Sequence, residues 1–285
     1  MKPLFSCVMP VKGPRPYMEE ALASLSAQGM GDDLEVIVQD ADGGERGTGN
    51  GESASAKATA DKRGTENGEW VRWVGEEDCG QADAFNRGFA KARGEWFFWL
   101  NADDVLLPGA LKKVRGLINH VKHVEWITGN QLLIDESSKV LKCSVGNGWH
   151  DWLYRHAVPH VYGPSSFFRR ELLERVGGFD ASLHVCMDWD LWIRFMRAGA
   201  RFRRIDRYLW ALRQWEGSKT QRPHDAEEGG RQWAEVVEML RKNDFSVTRG
   251  GMLLTRLWRF LNGNYLAEWR DGRRLRGQKA AECAS

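Results

Sequence analysis

The chain has 285 residues, of which 42% are hydrophobic and 28% charged, with a formal net charge of +2 at pH 7. That length can bury a sizeable core, and one α/β domain of about 200–250 residues with an appendage is the natural partition, while the near-balanced charge gives no global sign of nucleic-acid binding. The five cysteines, Cys7, Cys79, Cys143, Cys186 and Cys283, form no CxxC pair; this argues against a zinc ribbon or disulfide framework and fits a reducing cytosol.

In chain order, Leu4–Met9 reads as a short buried strand, Met18, Ala21, Leu22 and Leu25 mark one face of an amphipathic helix, and Leu34–Val38 reads as a second strand. Strand, helix, strand implies a parallel βαβ unit. The second strand runs into Asp40 and Asp42. Gly43 to Glu69 then has almost no large apolar side chain, so it reads as a long mobile loop: either a cover for a bound nucleotide or an insertion without a role. Trp70–Val74 supplies a third strand. In GQADAFNRGFAKARG, Ala82, Phe85, Phe89 and Ala92 share a helical face, and Gly94 is placed to end the helix.

The next run, EWFFWLNADD from Glu95 to Asp104, is apolar until it meets an amide and two carboxylates. Continuous apolar sequence suits a strand covered on both faces, and ligands of open α/β sheets bind beyond the carboxyl ends of such strands. Asn101, Asp103 and Asp104 form either a site for a hard cation and its phosphates or a turn stabilised by short polar side chains. Farther on, Trp149 to Phe168 is dense in aromatics and histidines, suited to an acceptor wall or to core. Pro159 disrupts any helix that would align His156 with His160 as a metal pair.

GQADAFNRGFAKARGEWFFWLNADD resembles the signature stretch of the GT-A-fold family 2 glycosyltransferases. LPGALKKVRGLI, GNQLLIDESSKVL with its hairpin-like pattern, FFRRELLERVGGFDASLHVCMDWDLWIRFMRAGARF and RQWEGSKT follow that family in order and spacing, so the resemblance spans roughly Leu4 to Thr220. It implies an α/β fold of GT-A (Rossmann-like) type: a mostly parallel sheet flanked by helices over residues 1–222, with a C-terminal helical extension over 223–285. It also implies an inverting transferase that takes a sugar from a nucleotide-diphosphate donor to a hydroxyl acceptor, either lipid-linked or a growing surface polysaccharide.

By the same resemblance, Asp188 is the general base. Pro10, Val11, Asp40, Asp83, Asn101, Ala102 and Asp103 contact the donor, and Lys219 lies on a loop able to close on its pyrophosphate. A divalent cation, Mn2+ or Mg2+, would sit at Asp103 with Asn101. Three positions depart from the family pattern: Asn101 stands for the first acid of the D-x-D element, Met187 stands before Asp188 where the family often has glutamate, and Trp215 stands for a histidine able to ligate metal. Asp188 and Asp83 can also be read as plain helix-terminal carboxylates stabilised by the dipole. Arg87, one turn after Asp83, reads as a surface arginine or a phosphate contact, Asp104 as the residue holding the following loop, and Asp190 as structural.

A sugar-phosphate nucleotidyltransferase, for which VKGPRPYM is a poor phosphate loop, and a catalytically silent binding domain are the alternatives. From Arg249 onward, leucines and tryptophans alternate with arginines, which suits either peripheral membrane contact or a helix packed back on the domain. No signal peptide is recognised and no apolar run nears the roughly 20 residues that span a bilayer, so a cytoplasmic place, at the inner face of the plasma membrane, is expected.

Overall fold

The computed structural model describes residues 2–42, 70–148, 155–156, 160–216, 218 and 226–283. The expected loop over 43–69, residues 149–154 and 157–159 of the aromatic stretch, and Lys219 lie outside the described residues.

Three parallel pairings open the sheet. Strand β1 (Phe5–Val11) lies between β2 (Leu34–Asp40) and β4 (Trp96–Trp99), and β2 pairs with β3 (Val71–Gly75). Helices α1 (Met18–Ser26) and α2 (Gln81–Lys91) make the crossovers. Beyond β4 the sheet becomes mixed. Strand β8 (Ser166–Arg169) runs antiparallel to β4 and to β6 (Trp126–Ile134). Strand β9 (Phe202–Arg213) is parallel to β6 and antiparallel to β5 (Val105–Leu106). Strand β7 (Val140–Ser144) forms a hairpin with β6, where the GNQLLIDESSKVL pattern was expected to turn back.

The apolar runs divide between two faces because successive strand side chains point to opposite sides. On one face Cys7, Met9, Phe98 and Leu100 pack with α1 and with α3 (Ala110–His120). On the other, Val8, Phe97 and Trp99 pack with Phe85 and Phe89 of α2 and with Leu191, Trp192 and Phe195 of α5 (Met187–Arg197). Helix α4 (Arg170–Arg175) follows β8 directly.

Gly94 has a different task from the one expected. Helix α2 ends at Lys91, and a Cβ on Gly94 would collide with Ser6 Oγ and the β1 backbone. The Gly94 N–H instead donates to Ser6 Oγ at 2.8 Å and to Glu35 Oε1 at 3.1 Å. Close approach, rather than helix termination, demands glycine there.

Three helices complete the chain: α6 (Ala226–Lys242), α7 (Arg249–Leu261) and α8 (Asn264–Leu275). Helices α6 and α8 share cores with the sheet domain. Val236, Met239, Leu240 and Phe245 pack on Cys186 and Ile193, while Leu275, Ala280 and Cys283 pack with Leu132, Ile134 and Val140 of the β6–β7 hairpin.

Candidate active site

The carboxyl ends of β1, β2 and β4 lie side by side, so the residues just beyond them border one crevice. Pro10 and Val11 close β1, Val11 being buried. Asp40 ends β2 and is almost fully buried; Arg15 Nη2 donates to both its oxygens, at 2.8 and 2.7 Å. Asp42 Oδ2 accepts the Gly13 N–H at 2.8 Å. The loop after β1 is therefore fastened to the end of β2 by two carboxylates, with Arg15 the cation between them.

Beyond β4 the chain turns tightly, the Asp104 N–H donating to the Asn101 carbonyl at 3.1 Å. Asn101 uses both ends of its amide: Oδ1 accepts from Gln81 Nε2 and Nδ2 donates to Asp104 Oδ2, each at 2.9 Å. Ala102 packs on the core beneath. Asp104 is fully buried and accepts the Arg213 backbone N–H at 3.0 Å, which ties this turn to the end of β9. Burial, reinforced by the charge of Asp103, pushes the Asp104 carboxyl well above the usual carboxylate range.

Asp103 faces Trp215, whose indole N–H donates to Asp103 Oδ2 at 2.9 Å. Trp215 is seated edge-on against Tyr17, with ring centroids 5.5 Å apart. Beneath them the buried Arg213 guanidinium donates to the carbonyls of Asp103, Asp135 and Glu136, to Ser138 Oγ and to Glu20 Oε2. A buried charge is tolerated only when its donors are satisfied in this way. Arg213 thus locks the Asp103 turn, the hairpin tip and α1 together.

Asp83, in the first turn of α2, accepts the Cys79 N–H at 3.1 Å and the Arg87 Nε–H at 2.9 Å. The Cys79 bond is the chief reason its carboxyl is held below the usual range. Arg87 is thereby paired with an acid of its own helix.

Asp188 stands in the first turn of α5, where its Oδ1 accepts the Trp189 N–H at 2.9 Å. A Cβ built on Gly163 would lie 2.7 Å from the Trp99 ring and 3.5 Å from Asp188 Oδ2. Asp188 therefore stands across Gly163 from the indole of Trp99, the last residue of β4. The loop entering α5 adjoins the start of α2 as well: a Cβ on Gly80 would lie 3.5 Å from His184 Nδ1.

Asp190 is buried and turned away, accepting from Arg194 Nε at 2.7 Å and Asn243 Nδ2 at 3.3 Å. Side chains two apart on a helix point about 200° apart, so Asp188 and Asp190 serve different surroundings.

Glu235 of α6 gave no signal in the sequence. Its carboxylate accepts the N–H groups of His184, Val185 and Cys186 at 3.0, 2.7 and 3.2 Å, forming an anion nest at the entrance to α5.

Residues 6–177 match the model of glycosyl transferase family 2. The chain belongs to this family. An uncharacterised glycosyltransferase of Rickettsia felis is 26% identical over 272 residues, covering 92% of this chain and 43% of that protein, so the chain spans less than half the length of this relative. The mannosyltransferase PcManGT of Pyrobaculum calidifontis, solved with GDP-Man and Mn2+, superposes with a TM-score of 0.57 at 21% identity, over 84% of this chain and 65% of its own. TarS of S. aureus, solved with UDP-GlcNAc, gives 0.58 at 16% identity over 82% and 65%. At those identities the two structures establish a shared fold.

No group of three or more His, Cys, Asp or Glu among the described residues could hold a metal ion. A cage made by protein alone is therefore absent from them. Mg2+ and similar cations are commonly held by one or two carboxylates together with substrate phosphates and water. Asp103, with one oxygen engaged by Trp215, and the Asn101 amide oxygen, engaged by Gln81, are of the donor type that could hold a cation entering with a diphosphate.

Proposed function

We propose that the chain transfers a sugar from a nucleotide-diphosphate donor to a hydroxyl acceptor with inversion, Asp188 acting as general base. The observation that carries this reading is the approach of Asp188 Oδ2 to the Trp99 end of β4 across Gly163, on the strand that leads into Asn101 and Asp103. The acceptor O–H attacks the anomeric carbon and its proton passes to Asp188. The bond from that carbon to the diphosphate breaks, and the diphosphate leaves with the electron pair. A carboxylate in the first turn of a helix is kept ionised by the helix dipole, as a base must be.

Pro10 and Val11 line the donor pocket and Asp40 and Asp83 take its base and ribose, carboxylates being suited to imide and hydroxyl donors. Asn101, Ala102 and Asp103 take the diphosphate side, and Lys219 closes on the pyrophosphate. When bound at Asp103 and Asn101, Mn2+ or Mg2+ supplies positive charge to the departing diphosphate. Arg15 is a further donor-side residue, since it already sits between two strand-end carboxylates. The donor is a nucleoside-diphosphate sugar, as in the two structural neighbours. The acceptor is lipid-linked or a growing surface glycan, met at the inner face of the plasma membrane by the basic tail.

A thermal-shift series with nucleotide sugars, with and without Mn2+, tests donor class, because a ligand specific to the native state raises its stability by mass action. Asp103→Asn is expected to abolish the Mn2+-dependent part of that shift and to leave the unliganded melting temperature within about 2 °C. Unchanged metal-dependent affinity in Asp103→Asn would remove Asp103 from the cation site. Failure of every donor to yield nucleoside diphosphate would favour a silent binding domain.

A further inference from the structure

Helix α7 is built inside out. Its inward face consists of Gly251, Thr255 and Arg259, four residues apart and therefore on one side of the helix. Gly251 lies against the His156 carbonyl, and Thr255 Oγ1 donates back to the Gly251 carbonyl at 2.9 Å. Arg259 is buried and satisfied, donating to the Val145 carbonyl and Asn147 Oδ1 at 2.9 Å and to Glu268 at 2.6 Å. The opposite face carries Leu253, Leu254, Leu257, Phe260 and Leu261, of which Leu253, Phe260 and Leu261 are 66%, 69% and 72% exposed. Helix α8 extends the surface with exposed Leu266 and Trp269, and Arg273 lies over the Trp269 ring at 5.1 Å.

A helix that buries its polar side and exposes its large apolar side is oriented for an apolar medium outside the protein. Charge identifies that medium. From Arg249 to Lys279 there are eight cationic side chains and two anionic ones, a net +6, against +2 for the whole chain. Arg249, Arg256, Arg270, Arg273, Arg274, Arg276 and Lys279 are exposed. A second copy is a poor occupant, because a two-fold interface sets the same patch against itself and brings like charges together. Among the described residues no helix is long and apolar enough to cross a membrane, so the contact lies in the plane of the interface.

We propose that α7 and α8 dock on an anionic lipid bilayer, Leu253, Leu257, Phe260, Leu266 and Trp269 entering the acyl boundary and the arginines meeting headgroup phosphates. This deepens the reading of a membrane-presented acceptor and rests on it only for its biological use; the docking itself is measured without donor or acceptor. The probe is co-sedimentation with vesicles of phosphatidylcholine alone and of phosphatidylcholine with phosphatidylglycerol. The chain is expected to pellet with the anionic vesicles, at least about tenfold more strongly than with the neutral ones, and to be released partly by salt.

The triple variant Leu253→Ser, Leu257→Ser, Phe260→Ser is expected to lose about tenfold or more of this partitioning while its circular dichroism and its release of nucleoside diphosphate from a soluble donor stay unchanged. Should the triple variant not fold, Arg256→Glu with Arg273→Glu, both on the outer surface, is expected to weaken anionic binding by a similar factor. Absence of vesicle binding by the unaltered chain would overturn the proposal. So would light scattering that reports a dimer converted to monomer by the triple variant, since the face would then join copies. A chain that binds vesicles but processes no donor would leave docking standing and remove the transferase reading.

Discussion

Removal of the Glu235 carboxylate tests whether the C-terminal helices serve the chemistry. Glu235 accepts three consecutive N–H groups at the entrance to α5, and Asp188 follows Cys186 by two residues. Burial alone would raise the Glu235 carboxyl, but the Val185, His184 and Cys186 N–H groups outweigh it, and the carboxyl is held below its ordinary value of 4.5. Hydrogen bonds to a charged acceptor contribute about 1.5–3 kcal/mol each when buried. Glu235 is only partly buried, so Glu235→Ala is expected to cost about 2 kcal/mol in total, or about 4 °C in melting temperature for a chain of this size.

Because the folded-state pKa is depressed, this contribution is fully present above the unfolded value and is lost as pH falls through the folded one. The melting-temperature gap between the native chain and Glu235→Ala should therefore be constant near pH 7 and close below about pH 4.5. The larger effect is expected on turnover. Misplacing a catalytic group by about 1 Å can cost about a hundredfold, so kcat, followed as nucleoside diphosphate release, should fall about ten- to a hundredfold with donor KM little changed. Glu235→Gln, which keeps one accepting oxygen, should recover part of kcat. A variant with the expected drop in melting temperature but kcat within twofold of the native chain would make Glu235 a purely structural anchor.

Asp188→Asn should leave donor affinity by calorimetry nearly unchanged and lower turnover by about a hundredfold or more, whereas Asp190→Asn, breaking the bond to Arg194, should cost roughly 1–3 kcal/mol of stability in a denaturant melt. Similar defects in both would refute their separate roles. Asn101→Asp replaces the amide that donates to Asp104 with a carboxylate facing another carboxylate, so it should destabilise the ligand-free chain by about 1–3 kcal/mol. Mn2+ with nucleoside diphosphate should reverse that loss in a thermal melt. Trp215→His exchanges a donor-only N–H for a ring able to ligate and should tighten Mn2+ binding in the presence of nucleoside diphosphate by calorimetry; unchanged affinity would remove residue 215 from the cation's surroundings.

Strands β1, β2 and β4 were legible because each is a mainly apolar run ending in polar residues, and β3, with Arg72 inside it, because apolar residues flank that charge. Their ends were legible to within two residues. Which face each side chain takes was not, since Cys7, Val8 and Met9 are all apolar while Val8 packs on α2's side and its neighbours on α1's. The antiparallel half was harder to foresee. Strand β9 spans twelve residues and passes a register shift against β6, and such pairings are set by long-range packing rather than by local periodicity.

Gly94 was read by the commonest local role of glycine, when a contact 88 residues away in sequence decides it. Asn101, Asp103 and Asp104 stood out as a cluster. Their division of labour depended on Gln81, Arg213 and Trp215, which the fold brings in from elsewhere. Glu235 left no trace because its partners are three backbone N–H groups and a lone thiol about fifty positions away, none of which marks it in the sequence.

The acidic groups of the crevice share one property: each already has a partner. Asp40 has Arg15, Asp83 has the Cys79 N–H and Arg87, Asp103 has Trp215, and Asp104 has Asn101 and the Arg213 N–H. Unpartnered carboxylates crowded at two strand ends and a helix N-terminus would repel one another and take up protons. Partners of fixed geometry hold them oriented; hydrogen bonds from the Cys79 N–H and Arg87 lower the Asp83 carboxyl, while burial outweighs the partners of Asp104 and raises its affinity for a proton. Such preorganisation reduces the rearrangement needed when a charged ligand arrives. At Asp103 it also sets the terms for a cation. The indole N–H engages one carboxylate oxygen without supplying charge or a lone pair, so a metal at the proposed site would gain little from the protein alone and most from the diphosphate it accompanies. If Asp103 and Asn101 hold the cation as proposed, Trp215 and Asn101, two of the departures from the family pattern, would act in the same direction and couple cation binding to donor binding.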